Sequence, residues 1–175
     1  MMNTQPRRRA TDAPPPIRPV KTSDALAICG IYNYYITNTV VSFEERPVGA
    51  AEMEGRIKNV TAKFPWFVWE EDGTILGYAY VNTWKERISY RYSVEDSLYI
   101  KNGMEGKGIG GKLFAHLLEA VKQTDTHAVV AGITLPNEAS VAIHEKFGFK
   151  KIAQFNEIGF KMNKWLDVGY WELIL

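Results

Sequence analysis

Apolar positions recur along the chain with two periods. Ile28, Ile31, Tyr32 and Tyr35 fall at i, i+3, i+4 and i+7, which predicts a helix with one buried face, capped by Thr22 or Ser23. Met53, Ile57, Val60 and Phe64 mark a second helix over about residues 48–63, after an extended link through Val40, Val41 and Phe43. Ile109, Leu113, Leu117, Ala120 and Val121 mark a third, ending near Gln123. A shorter helix follows Pro136-Asn137 and stops at Gly148, a residue suited to a left-handed C-cap. Between the helices the pattern shifts to strands. Residues 17–21 predict a short strand that Pro19 confines to an edge. Residues 66–71 and 74–84 predict a hairpin closed by Asp72-Gly73, both tolerant of positive φ. Residues 90–101, 127–133, 151–155 and 168–175 complete the strands.

The predicted order is β-α-α-β-β-β-α-β-α-β-β: a mixed α/β fold with a twisted, mostly antiparallel sheet flanked by helices. One β-α-β crossover must be right-handed, with its two strands parallel. In the strand over residues 90–101, Tyr90, Tyr92, Val94, Leu98 and Ile100 alternate as apolar positions, and Asp96 breaks the series. A polar residue on an apolar face marks a bulge or a site.

Composition adds limits. With 175 residues, 46% hydrophobic and 13% aromatic, the chain can bury the core of one domain, expected over residues 17–175. Residues 1–16 form a proline-rich leader, expected to be flexible. Residues 1–19 carry four arginines against Asp12, so +3 of the net +1 lies there and the rest of the chain is at −2. That body lacks the positive charge of a nucleic-acid binder, although Arg7–Arg9 could form a phosphate-binding arm. No apolar run approaches the roughly 20 residues of a membrane span, and no secretory signal is expected. The lone Cys29 cannot form an internal disulfide and suits a reducing, cytoplasmic setting.

Three places carry candidate chemistry. Gly106-Lys107-Gly108-Ile109-Gly110-Gly111 joins a strand to a helix, where unpaired N–H groups and the helix dipole favour an anion. A tight turn needing positive φ explains the same glycines, and neither a P-loop nor a dinucleotide fold fits. Glu95, beside Asp96, is either a general base or the partner of Arg87 or Arg91. His144 is either a core histidine or a functional one. His116 and His127 have no partner at metal-ligand spacing, so no metal site is expected.

Phe64-Pro65-Trp66, Trp84-Lys85, Val94-Glu95 and Leu98-Tyr99-Ile100 precede the glycine loop. Leu135-Pro136-Asn137, Ser140, His144-Glu145, Gly148-Phe149 and the run over residues 164–169 follow it. In this order and spacing they resemble the GCN5-related N-acetyltransferases (GNAT family), and within it the phosphinothricin and methionine sulfoximine acetyltransferases.

The resemblance implies a GNAT-like fold and acetyl-CoA as co-substrate. The acceptor would be the primary amine of a small amino-acid-like molecule. Other amines and a non-catalytic acyl-CoA-binding role are the alternatives. It also implies that Leu98, Tyr99 and Ile100 pair with the pantetheine arm, and that Gly106, Lys107, Gly108, Ile109, Gly110 and Gly111 hold the pyrophosphate. Asn137 would contact the cofactor near its thiol end. Glu95 and His144 match the catalytic positions. Phe43, Lys85, Glu86, Arg87, Tyr90, Asp96, Ser97 and Val168 match the acceptor pocket. Relatives of this kind are commonly homodimers. One position departs: Glu105 stands where the family usually has Gln or Arg. A carboxylate there would repel a diphosphate by about a few kcal/mol at most, at an effective dielectric near 20. Lys107 could offset it, or Glu105 could turn away, leaving the backbone N–H groups to carry binding.

Overall fold

The computed structural model describes residues 16–175. The leader and its arginine run therefore lie, apart from Pro16, outside the described residues. Seven strands form one sheet: β1 (Ile17–Pro19), β2 (Trp66–Glu71), β3 (Thr74–Thr83), β4 (Ser93–Ile100), β5 (Ala128–Leu135), β6 (Lys150–Lys161) and β7 (Lys164–Ile174). Their spatial order is β1-β2-β3-β4-β5-β7-β6. Every pairing is antiparallel except β4 with β5, the pair joined by the crossover.

Four helices cover the two faces: α1 (Ala25–Asn38), α2 (Ala50–Thr61), α3 (Ile109–Val121) and α4 (Glu138–Lys146). Alternation along the strands divides the core in two. Val94, Val129, Ala131, Ile133 and Trp171 face Leu113, Phe114 and Leu117 of α3, with Val141 and Ile143 of α4 packed alongside. Trp66, Val68 and Tyr78 face Ile28 and Ile31 of α1 and Met53 and Ile57 of α2. Burying about a dozen such side chains on each face, at about 1.5–3 kcal/mol apiece, drives the layering.

The helices end where their sequence permits. α4 closes with Gly148 at φ +90°. The Phe149 N–H donates to the His144 carbonyl (3.1 Å) and the Gly148 N–H to the Glu145 carbonyl (3.0 Å), a Schellman termination. α1 differs from expectation. Thr22 and Ser23 do not cap it; they lie in a 3₁₀ turn whose Asp24 carboxylate accepts the Lys21 N–H (2.7 Å) and the Arg18 guanidinium.

Two strands also differ. β4 begins at Ser93, not Tyr90, because residues 88–90 form a 3₁₀ turn in which the Arg91 N–H donates to the Ile88 carbonyl (3.1 Å). Tyr90 and Tyr92 are thereby left exposed. At the C-terminus β6 and β7 are each longer than expected. They are joined by Met162-Asn163, both left-handed (φ +52° and +57°), as a two-residue hairpin requires.

Candidate active site

The parallel ladder between β4 and β5 runs only from Ser93↔Ala128 to Glu95↔Val130. Beyond it β4 continues to Ile100, still paired with β3, and β5 continues to Leu135, paired with β7. The two strands therefore part after Glu95. The β5-facing backbone groups of β4 past that point have no ladder partner. A polar backbone edge in such a slot calls for a hydrogen-bonding ligand.

The slot opens into a cavity of about 1150 Å³. One end is the glycine loop, where Gly106 (φ +74°) and Gly108 (φ +80°) adopt the left-handed backbone that favours glycine. The first helical bond of α3 runs from the Lys112 N–H to the Gly108 carbonyl (3.3 Å). The N–H groups of Ile109, Gly110 and Gly111 thus precede the helical ladder, at its positive end. No atom lies within 4 Å of an ideal Cβ at Gly106, Gly108 or Gly111. That empty concavity fits a diphosphate approaching the backbone.

Glu105 is turned back from the loop. Its Oε2 accepts the Gly103 N–H at 2.7 Å. Its charge also helps to push the Tyr35 hydroxyl up to about 12, after burial. The Lys107 ammonium contacts the Met104 sulfur, and Lys107 does not line the cavity.

At the other end, Glu95 sits on the α1–α2 face of the sheet. Burial, and then the Asp96 charge, push its carboxyl up, while Lys85 pulls it down. Gly132 makes room for it. A Cβ there would lie 3.1 Å from Glu95 Oε1 and 3.3 Å from the Tyr170 ring. Tyr80 and Ser97 face each other on neighbouring strands beside it. The segment between α1 and α2 roofs this end. The Phe43 ring lies on Gly159 of β6, where a Cβ would come within 2.3 Å. The buried Lys161 ammonium donates to the Ser42 carbonyl. Val168 completes the wall.

The opposite face of β4 carries Asp96, joined to His144 of α4 at 3.0 Å (Oδ2 to Nε2), and the pair is buried. His144 Nδ1 lies 2.6 Å from the Ser140 carbonyl. Both ring nitrogens are thus held by the protein. Burial pushes the His144 imidazole down, but Asp96 overcomes it, and the net shift is upward. Asp96 Oδ1 is buried and accepts no hydrogen bond among the described residues.

The structure brings Leu98, Tyr99, Ile100, Gly106, Gly108, Ile109, Gly110, Gly111, Asn137, Glu95, Asp96, Ser97, His144, Phe43 and Val168 onto one cavity. It does not bring Lys85, Glu86, Arg87 or Tyr90 there. They stand exposed on the connection between β3 and β4, beyond the point where the β3–β4 ladder ends. Neither Arg87 nor Arg91 pairs with Glu95 among the ion pairs of the described residues. The sequence reading missed Tyr32, Ser42, Glu44, Tyr80, Gly132 and Tyr170. Gly132, inside a buried strand, was the one available signal, since such a glycine marks a close approach.

Known proteins are similar to this chain in sequence and fold. Residues 17–169 match the family described as an acetyltransferase (GNAT) domain. A phosphinothricin N-acetyltransferase of Streptomyces viridochromogenes is 35% identical over 167 residues, 95% of this chain and 89% of its own. An L-methionine sulfoximine/L-methionine sulfone acetyltransferase of Salmonella typhimurium is 34% identical, covering 91% of this chain and 94% of its own. Among solved structures, an acetyltransferase of Salmonella typhimurium with its cofactor acetyl-CoA superposes with a TM-score of 0.89 at 33% identity, covering 91% of this chain and 92% of that one. A phosphinothricin acetyltransferase of Sinorhizobium meliloti in complex with acetyl-CoA gives 0.88 at 32% identity, covering 91% and 87%.

Proposed function

The chain belongs to the GNAT acetyltransferase family, and on that premise we propose that it acetylates the primary amine of a small amino-acid-like acceptor, of the phosphinothricin or methionine sulfone type, using acetyl-CoA. The observation that carries this reading is the position of Glu95. It stands where β4 and β5 part, in the same cavity as the glycine loop. When bound, acetyl-CoA supplies an activated acetyl group. The loop amides of residues 108–111 hold the diphosphate, and the β4 edge past Glu95, which has no ladder partner on the β5 side, holds the pantetheine arm. Asn137, whose side chain caps α4 through the Ser140 N–H (3.1 Å), stands near the thiol end.

An amine of pKa 9–10 is mostly protonated near neutrality and cannot attack. Glu95, its carboxyl pushed up by burial, takes that proton, directly or through water. The N–H of Leu98 or Ile100, on the β4 edge turned away from β3, stabilises the negative charge that develops on the carbonyl. His144, held at both nitrogens, balances the Asp96 charge rather than taking a proton from the amine.

Steady-state thiol release with phosphinothricin, methionine sulfoximine and methionine sulfone tests the reading. Turnover of none of them, or of polyamines alone, overturns it.

A cytoplasmic homodimer belongs to the same proposal. The buried thiol of Cys29 needs no oxidising compartment. Among the described residues no helix is long and apolar enough to cross a membrane. The edge hairpin β6–β7 exposes Phe155, Ile158, Phe160 and Trp165, each at least half exposed, which favours a covering partner. Sedimentation of the wild type and of Trp165→Lys checks this: the dimer should weaken in the variant.

A further inference from the structure

Lys161 stands at the end of β6, immediately before the Met162-Asn163 turn, and is only 5% exposed. A lysine is seldom buried that far unless a carboxylate pairs with it. No carboxylate does so among the described residues; Glu45 and Glu44 reach it only as more distant charges. Among the described residues its ammonium makes a single hydrogen bond, to the Ser42 carbonyl, 119 positions away in the chain. An apolar side chain here would cost the fold less than a buried ammonium does.

The Ser42 carbonyl belongs to the segment that roofs the Glu95 end of the cavity. The other side-chain bonds of that segment come from the helices it joins. The Tyr32 hydroxyl of α1 shares a hydrogen bond with Ser42 Oγ (3.0 Å) and donates to Glu44 Oε1 (2.8 Å). Arg56 of α2 donates to both Glu44 oxygens (2.6 and 3.0 Å). Those bonds tie the roof to its own two helices. They do not join it to β6, whose Ile158 lines the cavity.

Gly159 and Lys161 make that connection. Two positions apart on a strand, they share a face. Gly159 receives the Phe43 ring, which a methyl group there would overlap, and Lys161 holds the Ser42 carbonyl. Phe160 between them turns the other way, with Trp165 opposite it in the ladder, and both are exposed.

We propose that Lys161 is a positioning residue for the acceptor. Its hydrogen bond sets the height of the roof and keeps the Phe43 ring down on Gly159. Ser42 and Phe43 in turn wall the space at the Glu95 end, where the amine is presented. Lys161 does not itself line the cavity, so it acts through the roof. The inference rests on the proposed placement of the acceptor at that end, and the glycine-loop end is independent of it.

Lys161→Met keeps the length of the side chain and removes the donor. It should raise the acceptor KM about tenfold or more, with a far smaller change in kcat and an acetyl-CoA Kd held within about twofold. Gly159→Ala displaces the Phe43 ring without touching Lys161 and should give the same pattern. In the double variant KM should exceed the larger single effect by less than about twofold, because both changes act through one roof. Amide hydrogen exchange of the free enzyme is read independently of turnover. In Lys161→Met residues 41–44 should exchange about tenfold or more faster, while residues 106–111 keep their wild-type rates. Lys161→Gln, shorter and uncharged, is measured in the same way should Lys161→Met not fold. Unchanged exchange at residues 41–44, equal losses for acceptor and acetyl-CoA, or additive effects in the double variant overturn the proposal. If the wild type acetylates neither phosphinothricin nor methionine sulfone, the acceptor reading fails, and the exchange comparison alone then decides whether Lys161 holds the roof.

Discussion

His144 Nε2 lies 3.0 Å from Asp96 Oδ2 inside the core, while Nδ1 meets the Ser140 carbonyl at 2.6 Å. A carbonyl only accepts, so Nδ1 carries a proton, and with Asp96 ionised Nε2 carries the second and the ring is an imidazolium. Burial opposes that charge and Asp96 outweighs it, leaving the pKa raised. The contribution to stability is therefore fully present below the unfolded value of about 6.5 and is lost as pH rises through the folded value. The reference for the measurement is the double variant Asp96→Asn/His144→Gln, which carries neither titrating group. Guanidinium unfolding between about pH 5 and 9 should show wild-type stability, relative to that reference, declining above about 6.5. A difference that stays flat or grows would contradict the imidazolium assignment. Asp96→Asn alone breaks a buried pair and should cost about 3–5 kcal/mol.

Glu95→Gln should lower kcat by about 10²–10⁴ while leaving acetyl-CoA affinity nearly intact, the signature of a lost general base. Wild-type turnover in that variant would remove Glu95 from the reaction. The pH profile supplies a second measurement. Because burial and Asp96 push the Glu95 carboxyl up, kcat/KM should fall on acidification at a pH above the ordinary carboxylate range. Lys85 pulls that carboxyl down, so Lys85→Met should move the acid limb to higher pH. A shift to lower pH would mean that Lys85 acts some other way.

Much of this site was legible before any coordinates. Helical stripes such as Leu113–Leu117–Val121 appear because burial selects one face of a 3.6-residue period, and the glycine loop appears because its glycines interrupt that period at a helix start. Asp96 stood out as a polar residue on an apolar face, and the reason is its burial against His144. What was missed depends on contacts distant in sequence. The Met162-Asn163 turn carries no glycine, so β6 and β7 looked short. Phe43 on Gly159 joins residues 116 positions apart, and no local pattern encodes that contact. Lys85, Glu86, Arg87 and Tyr90 looked like pocket residues by motif alone. They stand exposed on the connection that follows β3, beyond the end of the β3–β4 ladder.

Gly132→Ala separates positioning from folding. The added methyl would sit 3.1 Å from Glu95 Oε1 and 3.3 Å from the Tyr170 ring. A carboxylate at the end of a flexible side chain moves readily, so the stability cost should stay under about 1 kcal/mol. The moved group is the proposed base, and a misplacement of about 1 Å can cost on the order of 10² in rate. Thermal unfolding and kcat, measured together, should show a small loss in the first and a loss of about tenfold or more in the second. Unimpaired turnover would show that the Glu95 carboxylate position seen here is not the working one.

The proposed function puts acetyl-CoA binding on the backbone of the glycine loop, and two substitutions separate backbone from side chain. Gly108 has φ +80° with open space around it, so an alanine there meets no neighbour but adopts a strained conformation costing about 1–2 kcal/mol. Its methyl would also enter the concavity offered to the diphosphate. Gly108→Ala should therefore weaken acetyl-CoA binding by about tenfold or more, as read by calorimetry. Glu105 is turned back onto the Gly103 N–H, so its charge is partly satisfied before any diphosphate arrives. Glu105→Gln should change the acetyl-CoA Kd by less than about tenfold, with the gain shrinking further as salt screens the charge. A hundredfold tightening would show that the carboxylate, despite its bond to Gly103, faces the diphosphate and governs the affinity.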